Sequence, residues 1–288
     1  FTGATHTDLW LLLGDNAYQD GTDAEYQAAF FDVYPEFLRS TVVWPTLGNH
    51  DRVDTANATW PYFDIFTLPQ SAVAGGVSSA TEAYYSFDHG NIHFVVLDSQ
   101  SSDRSPPPAG AMLAWLENDL AATTQDWIIA YWHHPPYSDG SHKSDNELAL
   151  VEMRQNAVPI LENHGVDLVL AGHSHNYERT FLIDGHYGDS STFDPSHIVD
   201  GGSGRDGSPD GPYLKSQPGP VPHDGAVYTV AGTAGQINAS SLQYPAMYFD
   251  QNTLGSVILD VDDNRLDAKF LNETGTVIDE FTIIKGTY

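Results

Sequence analysis

The stretch Val166–Arg179, VDLVLAGHSHNYER, joins an apolar run that stops at Gly172 to a polar run that opens with His173-Ser174-His175. Val166–Ala171 reads as a buried parallel strand, and the glycine that ends it lets the chain turn. The same arrangement occurs three times upstream. Asp8–Gly14 (DLWLLLG) runs into Asp15-Asn16-Ala17-Tyr18, and Thr41–Leu47 runs into Gly48-Asn49-His50-Asp51. Trp127–Trp132 runs into His133-His134-Pro135-Pro136. In one parallel sheet all four runs would meet at the carboxyl edge, where α/β domains bind their ligands.

Outward from these strands the pattern alternates. Thr22–Ser40 reads as a helix interrupted at Pro35, and Ala111–Ala122 as a helix whose core face is Met112, Leu113, Trp115, Leu116 and Leu120. Tyr84–Asp88 and Ile92–Asp98 flank His89-Gly90-Asn91, a hairpin signature. Asp145–Asn163 carries a helical pattern disturbed by Pro159. The segment 184–224 is rich in Gly, Pro, Ser and Asp and reads as a long surface excursion within a single domain spanning 1–288. Strands follow at Ala226–Ala231, Ser256–Val261, Leu266–Asn272 and Val277–Lys285. Alternating strand and helix, then mostly strands, indicate one layered α/β domain.

The bulk composition narrows the partners. With 39 acidic and 11 basic residues among 288, the formal net charge is −28. Such a polyanion repels nucleic acid and anionic membranes, and no run reaches the ~20 apolar residues of a bilayer span. Absence of cysteine removes disulfides, thiolate metal sites and cysteine nucleophiles.

What gathers at the strand ends is Asp, Asn, Tyr and His. Oxygen and imidazole donors of that mix suit Fe, Zn or Mn, and two such ions clamp the attacking and leaving oxygens of a phosphate. Singly, each block reads as a turn. Jointly and in order, GDNAY (14–18), GNHD (48–51), HHP (133–135) and GHSHNYER (172–179) resemble the signature blocks of the calcineurin-like metallophosphoesterases. Tyr18, three residues after Asp15, resembles the phenolate ligand of the purple acid phosphatase branch, and AGTAGQ (231–236) extends the likeness.

The resemblance implies a four-layer αββα sandwich of two mixed β-sheets with a dinuclear centre of Fe(III) and a divalent ion (Zn, Fe or Mn). Asp15 would bridge the ions, Tyr18 and His175 would serve the ferric site, and Asn49, His133 and His173 the divalent site. His133 is taken over His134 because it precedes Pro135 in the family's His-x-Pro arrangement. His50 and His142 would be the catalytic histidines, stabilising the phosphate and protonating the leaving group. The implied reaction is hydrolysis of small phosphate monoesters by a metal-bound hydroxide, in a secreted or periplasmic protein; oligomeric state is left open. The rival readings are a phosphodiesterase or nucleotide-pyrophosphate hydrolase of the same fold, and a non-catalytic binding protein. One block departs from the pattern. Nothing before Gly14 supplies the family's Asp-x-Gly turn, so the expectation is a ferric site short of one carboxylate, a missing first strand, and a truncation or cleavage at Phe1.

Overall fold

The computed structural model describes residues 6–52 and 60–286, and Phe1 lies outside them. In chain order the strands are β1 (Leu9–Leu12), β2 (Val42–Pro45), β3 (Tyr85–His89), β4 (Ile92–Val96), β5 (Trp127–Trp132), β6 (Leu168–Ala171) and β7 (Tyr177–Thr180). There follow β8 (Leu182–Ile183), β9 (Ile198–Asp200), β10 (Tyr213–Lys215), β11 (Val227–Ala231), β12 (Met247–Gln251), β13 (Gly255–Asp262), β14 (Arg265–Asn272) and β15 (Val277–Lys285). Seven of them form a mixed sheet in the order β12-β7-β11-β6-β5-β4-β3, and four form a second mixed sheet, β10-β15-β14-β13.

The large sheet is buried on both faces, as a sheet with parallel strands at its centre must be. Strand β5 shows why. Trp127, Ile129 and Tyr131 point into the core shared with Leu266, Ala268, Phe281 and Ile283 of the four-stranded sheet. The alternate residues Ile128, Ala130 and Trp132 pack against Met112, Leu113, Leu116 and Leu120 of the helix Ala111–Ala122 and against Val158 and Leu161. On the far side of β1, the Trp10 ring meets Phe30, Tyr34 and Phe37 at centroid distances of 5.6, 4.9 and 5.0 Å. Two sheets enclosed by two helical layers give the αββα sandwich.

One expectation is corrected here. The four motif strands do not share a sheet: β1 and β2 form their own parallel pair, while β5 and β6 are neighbours in the large sheet. An apolar run records that a strand is buried on both faces, but not which strand it pairs with. The pair is instead held against the large sheet by side chains that reach its backbone. Tyr131 Oη donates to the Trp44 carbonyl at 3.1 Å and Tyr85 Oη to the Pro45 carbonyl at 2.6 Å. Trp44 stacks on Phe87 at 3.9 Å.

Two further differences have local causes. The helix expected from Asp145 starts at Leu148, because the Asp145 carboxylate accepts from Ser190 N (3.1 Å) instead of capping. It then widens into a π turn over Met153–Ala157, just before Pro159, whose nitrogen cannot donate. The 184–224 segment is only partly a surface excursion. Tyr213–Lys215 adds a parallel strand beside β15, with Tyr213 and Lys215 buried.

The sheets are also joined by charge. Arg179 on β7 makes a bidentate pair with Asp279 on β15, Nε to Oδ2 at 2.6 Å and Nη2 to Oδ1 at 2.9 Å, and Tyr177 Oη adds a third bond at 2.9 Å. Asp167, just before β6, takes Lys215 and Lys285 on its two oxygens, each at 2.8 Å. Replacing Asp279 by Ala would leave the Arg179 guanidinium buried and uncompensated. Urea denaturation of Asp279→Ala should show a loss of ~3–5 kcal/mol, whereas the double variant Asp279→Leu/Arg179→Met should recover much of it.

Candidate metal centre

Four strand ends from two different sheets converge here, and backbone geometry sets each donor. Asp15 and His173 both hold left-handed conformations, at φ +54° and +63°, a state that costs most residues energy and that Asp and His tolerate better than branched ones. Gly14 is at φ +86°, and a Cβ there would lie 2.6 Å from His133 Nδ1. A Cβ on Gly48 would overlap the Asp15 backbone nitrogen and carboxylate. The two glycines are therefore what lets Asp15 sit against the loop that follows β2.

The sequence assigned no task to Asp51, yet it ties these loops together. Fully buried, its carboxylate accepts from Asn16 N (2.9 Å), Asn16 Nδ2 (3.0 Å), Gly48 N (2.8 Å) and Tyr26 Oη (2.7 Å). Burial pushes its carboxyl up to about 6 even against these donors. The available signal was an Asp three residues after a strand-ending glycine, a position that closes a local turn.

The eight sequence-predicted residues come together. Asp15 Oδ2 lies 2.8 Å from Tyr18 Oη and 3.3 Å from His133 Nε2. Beyond Tyr18, His175 Nε2 is 3.1 Å from the phenol oxygen. Beyond His133 Nε2 stand Asn49 Oδ1 at 2.9 Å and His173 Nδ1 at 3.1 Å. One carboxylate thus separates a Tyr/His cluster from an Asn/His/His cluster. His50 packs its ring 4.4 Å from that of Tyr18 and sets Nδ1 2.7 Å from the Gln19 carbonyl. His142 stacks on His173 at 3.8 Å.

Tautomers and charge show what this arrangement can hold. His133 Nδ1 faces the Leu13 carbonyl at 2.8 Å, which claims its proton and turns Nε2 inward as a lone pair. That lone pair then meets the Asn49 and Asp15 oxygens and His173 Nδ1, a convergence of acceptors. Burial works to lower the His133 pKa, but the Asp15 charge outweighs it and raises it. Burial likewise works to raise Asp15, and the His133 charge holds its carboxyl well below the usual range. Burial pushes His173 down to about 4 and keeps His175 low, so both are neutral donors at neutral pH. Burial and then Asp15 raise the Tyr18 phenol, and a cation bound beside it would act in the opposite direction. Oxygen and nitrogen donors with no thiolate, set around shared lone pairs, fit a pair of borderline cations.

Further residues, none of them singled out as ligands or catalysts from sequence, hold the ring of donors in place. Ser99 Oγ fixes His134 Nδ1 at 2.8 Å, although the His133, His134 and His173 nitrogens all lie within 4.8 Å of one another. Asn238 Nδ2 is 3.3 Å from His175 Nδ1. Glu147 reaches both His142 and His173. Glu178, buried in β7, accepts from Ser138 Oγ (2.6 Å) and Asp139 N (2.9 Å), anchoring the loop that carries His142.

The sequence matches the calcineurin-like phosphoesterase family over residues 3–177. It is 28% identical over 190 residues to tartrate-resistant acid phosphatase type 5 of Sus scrofa, covering 59% of this chain and 54% of that protein. It is 31% identical over 215 residues to purple acid phosphatase 18 of Arabidopsis thaliana, covering 68% and 43%. The chain spans about half the length of the curated relatives it matches. A purple acid phosphatase from yellow lupin (Lupinus luteus) seeds superimposes with a TM-score of 0.69 at 19% identity, over 97% of this chain and 47% of that one.

The tight approach of Gly48 to Asp15 gives a direct test of how the centre is built. Gly48→Ala should keep the far-ultraviolet circular dichroism of the parent yet hold metal at least ~10-fold more weakly, as judged by metal content after equilibrium dialysis.

Proposed function

The chain belongs to the calcineurin-like phosphoesterase family, and from that premise we propose that it hydrolyses phosphate monoesters at a dinuclear centre of the purple acid phosphatase kind. The observation that carries this reading is the placement of Asp15 Oδ2 between Tyr18 Oη at 2.8 Å and His133 Nε2 at 3.3 Å. Asp15 would be shared by two ions, with Tyr18 and His175 serving a ferric ion and Asn49, His133 and His173 a divalent one. When bound, the two ions supply Lewis acidity toward the phosphate oxygens and acidify water at the site.

The chain's own groups do the rest. His50, with Nδ1 held by the Gln19 carbonyl, presents its other nitrogen beside Tyr18, where it stabilises negative charge on the phosphate. His142, with Nδ1 turned to Glu147, would in its imidazolium form give the Nε2 proton to the departing alkoxide. The left-handed turn at His173 and the stacking of His142 on it keep that donor over the centre. Small phosphorylated molecules are the substrate class; the formal net charge of −28 disfavours nucleic acid and suits a secreted or periplasmic protein. Among the described residues no helix is long and apolar enough to cross a membrane.

Metal analysis with a visible spectrum tests the proposal. About two metals per chain and a broad tyrosinate-to-iron band are expected, with p-nitrophenyl phosphate hydrolysed faster than bis-p-nitrophenyl phosphate. Tyr18→Phe should lose the band and keep the metals. Faster diester hydrolysis would replace the monoester reading with a phosphodiesterase. No metal and no hydrolysis would leave a binding protein on a phosphoesterase fold.

A further inference from the structure

Glu147 stands at the N-cap of the helix that begins at Leu148, with extended backbone (φ −95°, ψ 124°), but makes no side-chain cap. An acceptor there ordinarily stabilises a helix by ~1 kcal/mol. The side chain instead turns toward the centre, Oε1 2.8 Å from His142 Nδ1 and Oε2 3.2 Å from His173 Nε2. The two rings it spans are stacked at 3.8 Å with 35° between their planes. An ionised carboxylate offers only acceptors, so each ring must present an N–H to it. That places the His173 proton on Nε2 and leaves Nδ1, 3.1 Å from His133 Nε2, as the inward lone pair. It places a His142 proton on Nδ1, so the proton available for transfer is the second one, on Nε2 of the imidazolium.

We propose that Glu147 is a positioning residue that fixes the tautomers of His142 and His173 together, coupling the proton donor to the metal-facing imidazole. The proposal rests on the phosphatase reading above for its catalytic consequence, but not for the tautomers themselves. The loop that delivers Glu147 is built to hold still. Arg154, fully buried, donates Nη1 to the carbonyls of Pro136 (3.1 Å) and Ser144 (2.7 Å), closing the base of the loop. The His142 backbone nitrogen donates to Ser174 Oγ at 3.2 Å, so loop and ligand strand share a hydrogen bond beside the carboxylate.

The test uses Glu147→Gln, which keeps the shape but replaces one acceptor oxygen with a donor NH2. An amide accepts from one ring and donates to the other, so one of the two histidines must change tautomer. Long-range proton–nitrogen correlation on nitrogen-15 histidine-labelled, metal-free protein should show His173 protonated at Nε2 and His142 at Nδ1 in the parent. In Glu147→Gln one pattern should invert. In steady-state assays of the metal-loaded protein, kcat for an alkyl phosphate such as glycerol 2-phosphate should fall ~100-fold with KM little changed. For 2,4-dinitrophenyl phosphate, whose leaving group needs no proton, the fall should be under ~5-fold. His142→Ala should show the same leaving-group pattern, and the double variant should cost little more than either alone. Unchanged tautomers in Glu147→Gln, or equal losses on both esters, would overturn the proposal. So would loss of a whole metal equivalent at saturating metal, which would make Glu147 a ligand. If the parent hydrolyses neither ester, the phosphatase reading falls, and the nitrogen spectra alone decide the role of Glu147.

Discussion

The centre depends on the buried carboxylate of Asp51. Among the described residues, strands β1 and β2 make a sheet of two strands, with no backbone ladder to the large sheet that supplies the histidines. Asp15 and Asn49 therefore come from a part of the fold whose position relative to His133 and His173 must be fixed by side chains. Asp51 gathers Asn16, Gly48 and Tyr26 onto one carboxylate, turning two loops into one rigid piece. The Leu13 carbonyl then docks that piece on His133. A charge removed from water is costly unless every lone pair finds a donor, and here that demand enforces the geometry.

The same economy of groups runs across the sandwich. Arg179 on β7 and Asp167, just before β6, pair with residues of the opposite sheet. The polar half of VDLVLAGHSHNYER thus serves two ends. His173 and His175 face the candidate metals, Glu178 steadies the His142 loop, and Arg179 bolts the sheets together. Burying so many ionisable groups within eight consecutive residues is tolerated because each has a partner of opposite charge or a full set of hydrogen bonds.

Apolar runs ending in glycine were legible as strands because both-face burial leaves an unmistakable pattern, and the donors beyond them were legible because residue type and order narrow the chemistry. Pairing was not legible. Nothing in LWLL says that it lies beside β2 rather than in the large sheet, since backbone hydrogen bonds leave no mark on side-chain choice. β7 was invisible for the opposite reason: Tyr177, Glu178, Arg179 and Thr180 look like surface residues, yet ion pairing and hydrogen bonds let them be buried. Tyr213–Lys215 was hidden among glycines and prolines. Glu147 read as part of a helix, yet it stands at the helix N-cap with its carboxylate against His142 and His173.

The left-handed backbone at Asp15 has one more consequence. Asn accepts that conformation as readily as Asp does, while Glu or a branched residue would strain it. A single change from carboxylate to amide could therefore silence the shared ligand and leave the turn, the glycines and the sheets undisturbed. In this architecture chemistry and folding are separable under mutation, and a lineage could discard its reaction while retaining the scaffold for another use.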